Sequence, residues 1–236
     1  MTLAEHIQEV QARIAAAATK AGRDPSEVTL VAATKVQTSE TIRAAIAAGI
    51  TVCGENRAQE FTQHWQDGAY EGAKVHFIGH LQKNKLKYLV GKVDLIESVD
   101  SEELIRLIDK RAQNLGIVQD ILIEVNIGGE ASKSGVKPDE VEGLVALAAS
   151  LPGVAPRGLM AIPPVAHEPG ANRTVFAAMH QLFIDIKGKT YNNKVNIDCL
   201  SMGMSGDFED AIAEGATQVR VGTALFGARP ANRVNG

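Results

Sequence analysis

The sequence predicts a (β/α)8 barrel with an extra N-terminal helix, and three observations lead there. Short β-branched runs alternate with helical stretches from residue 28 onward, the alternation yields eight strand candidates within 236 residues, and no G-x-G-x-x-G turn follows the first run. Strict β–α alternation requires parallel strands joined by right-handed crossovers. Eight such units over this length suit a closed barrel better than an open doubly wound sheet, which also lacks its glycine signature here. No linker, low-complexity tract or shift in composition divides the chain, so residues 1–236 read as one domain.

The elements follow in order. Residues 3–21 form the extra helix, with Leu3, Ile7, Val10 and Ile14 at helical spacing and Gly22 at its stop. The strand runs are Val28–Thr34, Ile50–Cys53, Lys74–Ile78, Leu95–Ser98, Asp120–Asn126, Pro156–Ile162, Val195–Met202 and Gln218–Val221. Helical stretches lie between them near 39–48, 56–66, 81–90, 101–115, 138–150, 172–187 and 206–214, with a last one after Gly222.

Composition narrows the class. Apolar residues make up 45% and charged residues 22%, enough for a full core, and the net charge of −4 argues against a nucleic-acid partner, which needs a basic face. Lys83, Lys85 and Lys87 are a local exception that reads as a solvated helix end. Cys53 and Cys199 stand far apart in apolar runs and read as buried free thiols. The start carries no signal-peptide pattern and no apolar run approaches a membrane span, so a cytoplasmic protein is expected.

A barrel places its working residues at the C-terminal ends of the strands. Lys35 ends the apolar run Leu30–Thr34 and shares parity with Val31 and Ala33, so all three point inward. Desolvation there favours the neutral amine, a nucleophile toward aldehydes, although a lysine at a strand end also snorkels to water without chemistry. Further polar residues recur at strand ends: Glu55, Asn56, His80, Asn126, Ser201, Ser205 and, within the last strand, Arg220. The turn Ser201-Met202-Gly203-Met204-Ser205-Gly206-Asp207 and the turn Arg220-Val221-Gly222-Thr223-Ala224 combine glycines, hydroxyls and following helices. Such a pair after strands 7 and 8 is where these barrels bind phosphate, though Ser and Gly also cap helices. Arg220 points inward and needs an acceptor, either Glu124 in a barrel salt bridge or the ring nitrogen of a cofactor.

Taken together, several stretches resemble one family. They are Ala33-Thr34-Lys35, Gly54-Glu55-Asn56, His76-Phe77-Ile78-Gly79-His80-Leu81-Gln82, Val125-Asn126-Ile127, Lys133-Ser134-Gly135, Gly158-Leu159-Met160, Leu200 to Ser205, and Val219-Arg220-Val221-Gly222-Thr223 with Phe226-Gly227. In this order, over nearly the whole chain, they resemble the pyridoxal phosphate homeostasis proteins, single-domain barrels that share their fold with the N-terminal domain of alanine racemase. The resemblance implies that pyridoxal 5'-phosphate (PLP) is the cofactor and that Lys35 holds it as an internal aldimine. It places Arg220 against the pyridine nitrogen, and Ser205, Gly222 and Thr223 on the phosphate, with Ser201 and Gly203 shaping that loop. Asn56 and Met160 are expected beside the ring, and residues 165–173 look like a variable loop over the site.

Other chemistries fit less well. His76 and His80 are four apart but not on one helix, so no zinc pair is expected, and no metal site is assigned. No G-x-S-x-G elbow supports a serine nucleophile. A lysine-dependent aldolase would carry its lysine on a later strand in most such barrels. The reading is therefore a PLP carrier without its own turnover, with a PLP-dependent amino-acid racemase as the alternative. Racemisation needs a second acid/base group, and Tyr70, Tyr88 and Tyr191 lie away from the strand ends. The expected partners are PLP and PLP-dependent apo-enzymes, with no nucleic acid, no membrane and a monomeric chain.

Overall fold

In the computed structural model, parallel strands close into a barrel in chain order: β1 (Thr29–Ala33), β2 (Val52–Glu55), β3 (Lys74–Phe77), β4 (Leu95–Val99), β5 (Gln119–Val125), β6 (Val154–Ala161), β7 (Cys199–Ser201) and β8 (Gln218–Val221). The seam is β1, which pairs with β2 through Ala33↔Gly54 and with β8 through Val31↔Arg220. The structure describes residues 1–129, 134–164, 168, 170–189, 191 and 195–227. Each strand is followed by a helix: α2 (Ser39–Ala47), α3 (Ala58–Gln66), α4 (Leu86–Leu89), α5 (Glu102–Leu115), α6 (Val141–Ser150), α7 (Arg173–Lys187), α8 (Phe208–Ala213) and α9 (Thr223–Phe226). The extra helix, α1 (Leu3–Lys20), precedes the barrel as expected.

Local chemistry sets the helix ends. Thr2 and Glu5 form a capping box at α1, whose buried residues Ile7, Val10, Ile14 and Ala18 repeat at three- and four-residue steps. This face packs against α8 and α9, and the Arg13 guanidinium sits 4.8 Å from the Phe208 ring centroid. Ser101 caps α5 at its start, and Gly116 ends it in the left-handed conformation.

Strand parity sorts the side chains into two cores. Outward residues such as Ala32, Cys53, Phe77, Ile96, Ile121 and Leu159 join the helices in the main hydrophobic layer. Inside the barrel, Val31, Ala33, Val52 and Ile78 fill one side, and Leu95, Leu122 and Met160 with Cys199 fill another. The rest of the interior is polar, because His76, Glu97, Glu124, Ser201, Gln218 and Arg220 are also buried.

Most elements shift by a residue or two from their expected bounds, and three differences stand out. β2 runs over Val52–Glu55 rather than Ile50–Cys53, since Gly54 and Glu55 still pair with His76 and Phe77. The helix expected over 81–90 is a 3-10 turn, Lys83–Lys85, then the one-turn α4, whose buried residues are Leu86 and Leu89, too short an apolar face for more. β7 is confined to Cys199–Ser201, where it pairs with β6 at Gly158, Leu159 and Met160. Cys199 is also half-buried rather than fully buried.

Candidate functional site

The turns after β7 and β8 meet through one hydroxyl. Ser205 Oγ accepts hydrogen bonds from the backbone N–H groups of Gly222 (3.2 Å) and Ala224 (3.3 Å). With both interactions received, its own O–H is left to donate. Asp207 shapes the same turn, accepting from the Met204 N–H at 2.7 Å and the Asn172 side chain at 2.9 Å. Gly203 stands at φ +90°, and a Cβ there would lie 2.5 Å from that of Ala211, so only glycine fits. Gly222 backs onto β1, where an added Cβ would come within 3.4 Å of the Ala33 Cβ. Thr223 follows, exposed, at the first position of α9.

Lys35 lies half-buried, two residues past Ala33. The next residue, Val36, has φ 60°, an outlier for a β-branched side chain. Glu60 of α3 accepts the Val36 N–H at 3.1 Å, and His64 of α3 bonds the Gln37 carbonyl at 3.1 Å. Asn56 stands two residues past Gly54, the register partner of Ala33, so it reaches the same height as Lys35 on the neighbouring strand. Its Oδ1 is buried and takes no hydrogen bond among the described residues. Such an acceptor is costly unless a ligand satisfies it. The Asn56 backbone is pressed against Gly79, where a Cβ would meet its carbonyl at 2.1 Å. A groove of about 540 Å³, lined by residues including Asn56, His80, Gln82 and Lys85, opens beside it.

Arg220 lies one level deeper, opposite Val31. Its Nη1 donates to Ser201 Oγ (2.6 Å) and its Nη2 to the Ala161 carbonyl (2.8 Å). The salt bridge to Glu124 suggested by parity is thus replaced, among the described residues, by these two neutral acceptors. Burial pulls the guanidinium pKa down while the charges of Glu97 and Glu124 oppose it. Burial and the nearby Asp100 charge push Glu124 up to about 7, against the opposing effect of Arg220. Met160, fully buried, pairs in register with Ser201 and packs with Leu95 and Leu122. Ser201, also fully buried, has its hydroxyl directed to Glu97 and Arg220 inside the barrel.

Several expected features lie elsewhere. Glu55, grouped above with the strand-end residues of one mouth, faces outward, because it alternates with the inward Val52 and Gly54. Its Oε1 accepts from Thr34 (2.6 Å), Tyr70 (2.7 Å) and His64 (3.1 Å) beneath α3. Lys133 and residues 165–167 and 169 of the 165–173 loop lie outside the described residues. Burial raises both cysteine pKa values, that of Cys53 to about 12, so neither presents a reactive thiolate. Among the described residues no cluster of three or more potential ligands could hold a metal, and no helix is long and apolar enough to cross a membrane. Glu97 and Gln218 were not picked out by sequence reasoning. The available signal was a lone charge in the apolar run Leu95-Ile96-Glu97-Ser98-Val99.

Comparison with known proteins agrees with this architecture. Residues 6–230 match the family described as alanine racemase, N-terminal domain. A pyridoxal phosphate homeostasis protein of Aquifex aeolicus is 45% identical over 229 residues, covering 97% of this chain and 99% of that protein. Its counterpart in Pseudomonas aeruginosa is 42% identical, covering 97% of this chain and 96% of that protein. Among solved structures, PipY of Synechococcus elongatus with PLP bound superposes with a TM-score of 0.82 at 31% identity, covering 96% of this chain and 100% of that one. By near-complete coverage at these identities, the chain belongs to the alanine racemase N-terminal domain family and, within it, to the pyridoxal phosphate homeostasis proteins.

Proposed function

We propose that this chain binds pyridoxal 5'-phosphate and serves in its homeostasis as a carrier, without turning over a substrate. The observation that carries the reading is that Gly222, bonded to Ser205, backs onto Ala33 at the end of β1, two residues before Lys35. Among the described residues the buried Asn56 Oδ1 takes no hydrogen bond and the Ser205 O–H remains to donate, so both suit such a ligand. Bound PLP supplies an aldehyde with which a lysine amine condenses reversibly, losing water, and a dianionic phosphate that gives affinity.

Each residue then has a physical task. Lys35 is the tether. Ser205 and the backbone of Gly222 and Thr223 hold phosphate, and Gly203 gives the turn its shape. Asn56 satisfies a polar group of the ligand, and Met160 supplies apolar packing below it. Arg220 would face the ring nitrogen, and because a guanidinium hardly surrenders a proton it would leave the ring neutral and a weak electron sink. Ser201 supports Arg220 from within the barrel.

Support for carriage over racemisation comes from the tyrosines. Two-sided proton transfer needs a second acid/base group. The Tyr70 phenol donates to Glu55 under α3, with its pKa pushed up by burial. The Tyr88 ring of α4 carries the Lys85 and Lys87 ammonium groups over its face, and the Tyr191 hydroxyl is buried. The test is spectroscopic and kinetic. Purified protein mixed with PLP should develop a visible absorption band that Lys35→Ala abolishes, and enantiomer-resolved assays with amino acids should detect no racemisation. A band that persists in Lys35→Ala overturns the tether, and robust racemisation overturns the carrier.

A further inference from the structure

Inside the barrel, beneath the proposed ring position, lies a set of hydrogen bonds organised around one carboxylate. Glu97 projects inward from the middle of β4 and is completely buried. Its Oε1 accepts from His76 Nδ1 (2.8 Å) and Gln218 Nε2 (2.6 Å), and its Oε2 accepts from Ser201 Oγ (2.6 Å). A buried carboxylate survives only with such a shell of donors.

The carboxylate dictates the polarity of everything above it. Serine has one proton, and Ser201 gives it to Glu97, so its lone pairs must face its other neighbours. Those neighbours are Gln218 Nε2 at 3.0 Å and Arg220 Nη1 at 2.6 Å, both donors. Gln218 thus spends one N–H on each of Glu97 and Ser201, and no contact in the set opposes donor to donor. Arg220 takes its second bearing from the Ala161 carbonyl at 2.8 Å. Among the described residues two of its five N–H groups are engaged, which leaves donors for a ligand.

We propose that Glu97 is a positioning residue for the cofactor, acting through Ser201 to hold Arg220 against the pyridine ring. The inference rests on the PLP reading above. Replacing Glu97 by glutamine puts an amide in the same space. Its NH2 must take the Ser201 side, because the other side faces Gln218 and His76. Ser201 then meets three donors with two lone pairs and has no acceptor for its own proton, which must oppose either Gln218 or Arg220, so the seat of the guanidinium is disrupted.

The experiment is a double-mutant cycle on the PLP-loaded protein, read by the absorption maximum of the bound cofactor and by its release rate during dilution. Glu97→Gln and Ser201→Ala should each displace the maximum and speed release about tenfold, and either should add less than about twofold in an Arg220→Ala background. Ser201→Ala removes a single oxygen and carries the cycle if Glu97→Gln does not fold. The proposal is overturned if the single variants leave both readouts unchanged, or if their full factors persist without Arg220, as a merely structural role requires. A wild-type chain that shows no cofactor band overturns the PLP reading, and this inference with it. A normal wild-type band without coupling overturns only the role of Glu97.

Discussion

The imidazole of His64 lies 3.1 Å from the Gln37 carbonyl, so a helix on the outside of the barrel grips the chain two residues beyond Lys35. Its other nitrogen faces Glu55 Oε1 at 3.1 Å. A carbonyl and a carboxylate are both acceptors, so the protonated ring, with an N–H on each nitrogen, satisfies both. With Glu60 on the Val36 N–H, this grip holds the left-handed Val36 in place and fixes where Lys35 leaves the strand.

His64 makes stability depend on pH. Burial alone would lower its pKa, but the Glu55 hydrogen bond and charge, helped by the Gln37 carbonyl, raise it above the ordinary 6.5. A base raised on folding contributes stability that is fully present below 6.5 and is lost as pH rises through the folded value. His64→Ala should cost about 2 kcal/mol at pH 6 and clearly less at pH 9. Urea unfolding midpoints of both proteins across that range check the convergence, and parallel curves would show that His64 is neutral.

Glu124 should act in the same direction by different chemistry. Its carboxyl is raised from 4.5 to about 7 in the folded chain, chiefly by burial. An acid raised on folding keeps a proton that the unfolded chain has released, so stability falls as pH climbs from about 4.5 to about 7. Glu124→Gln should flatten that part of the stability profile and gain most, relative to wild type, at pH 8. Thermal unfolding from pH 5 to 8 measures it.

Gly203 tests the turn proposed to hold phosphate. Alanine there must adopt φ +90° and place its Cβ 2.5 Å from that of Ala211. The expected cost is about 1–3 kcal/mol of stability, with faster PLP release because the turn carrying Ser205 shifts. Gly206, where a Cβ meets nothing within 4 Å, is the control position in the same turn, and Gly206→Ala should change stability by less than about 1 kcal/mol. Calorimetry and release kinetics on the two variants separate steric shape from general loop sensitivity.

Much of the barrel was legible because its signals are local. Alternating β-branched and helical stretches, the Thr2–Glu5 capping box and the glycine-rich turns each depend on residues close in sequence. Strand parity placed Arg220 inward for the same reason. Glu55 was misassigned to the mouth because the β2 boundary was read two residues early, and a strand's facing set is certain only once its register is known.

By itself, then, the sequence determined the fold class, the lysine at the end of β1 and the glycine–serine turns after β7 and β8, since backbone geometry and residue period dictate them. Tertiary structure alone decided what surrounds those residues. Glu97 reaches Ser201 and Gln218 across 104 and 121 positions of chain, and Glu60 reaches back 24 positions to steady Val36. Closing the barrel brings such distant groups within hydrogen-bond range, and burial then makes their pairing obligatory, because an unpaired charge there has no water to turn to.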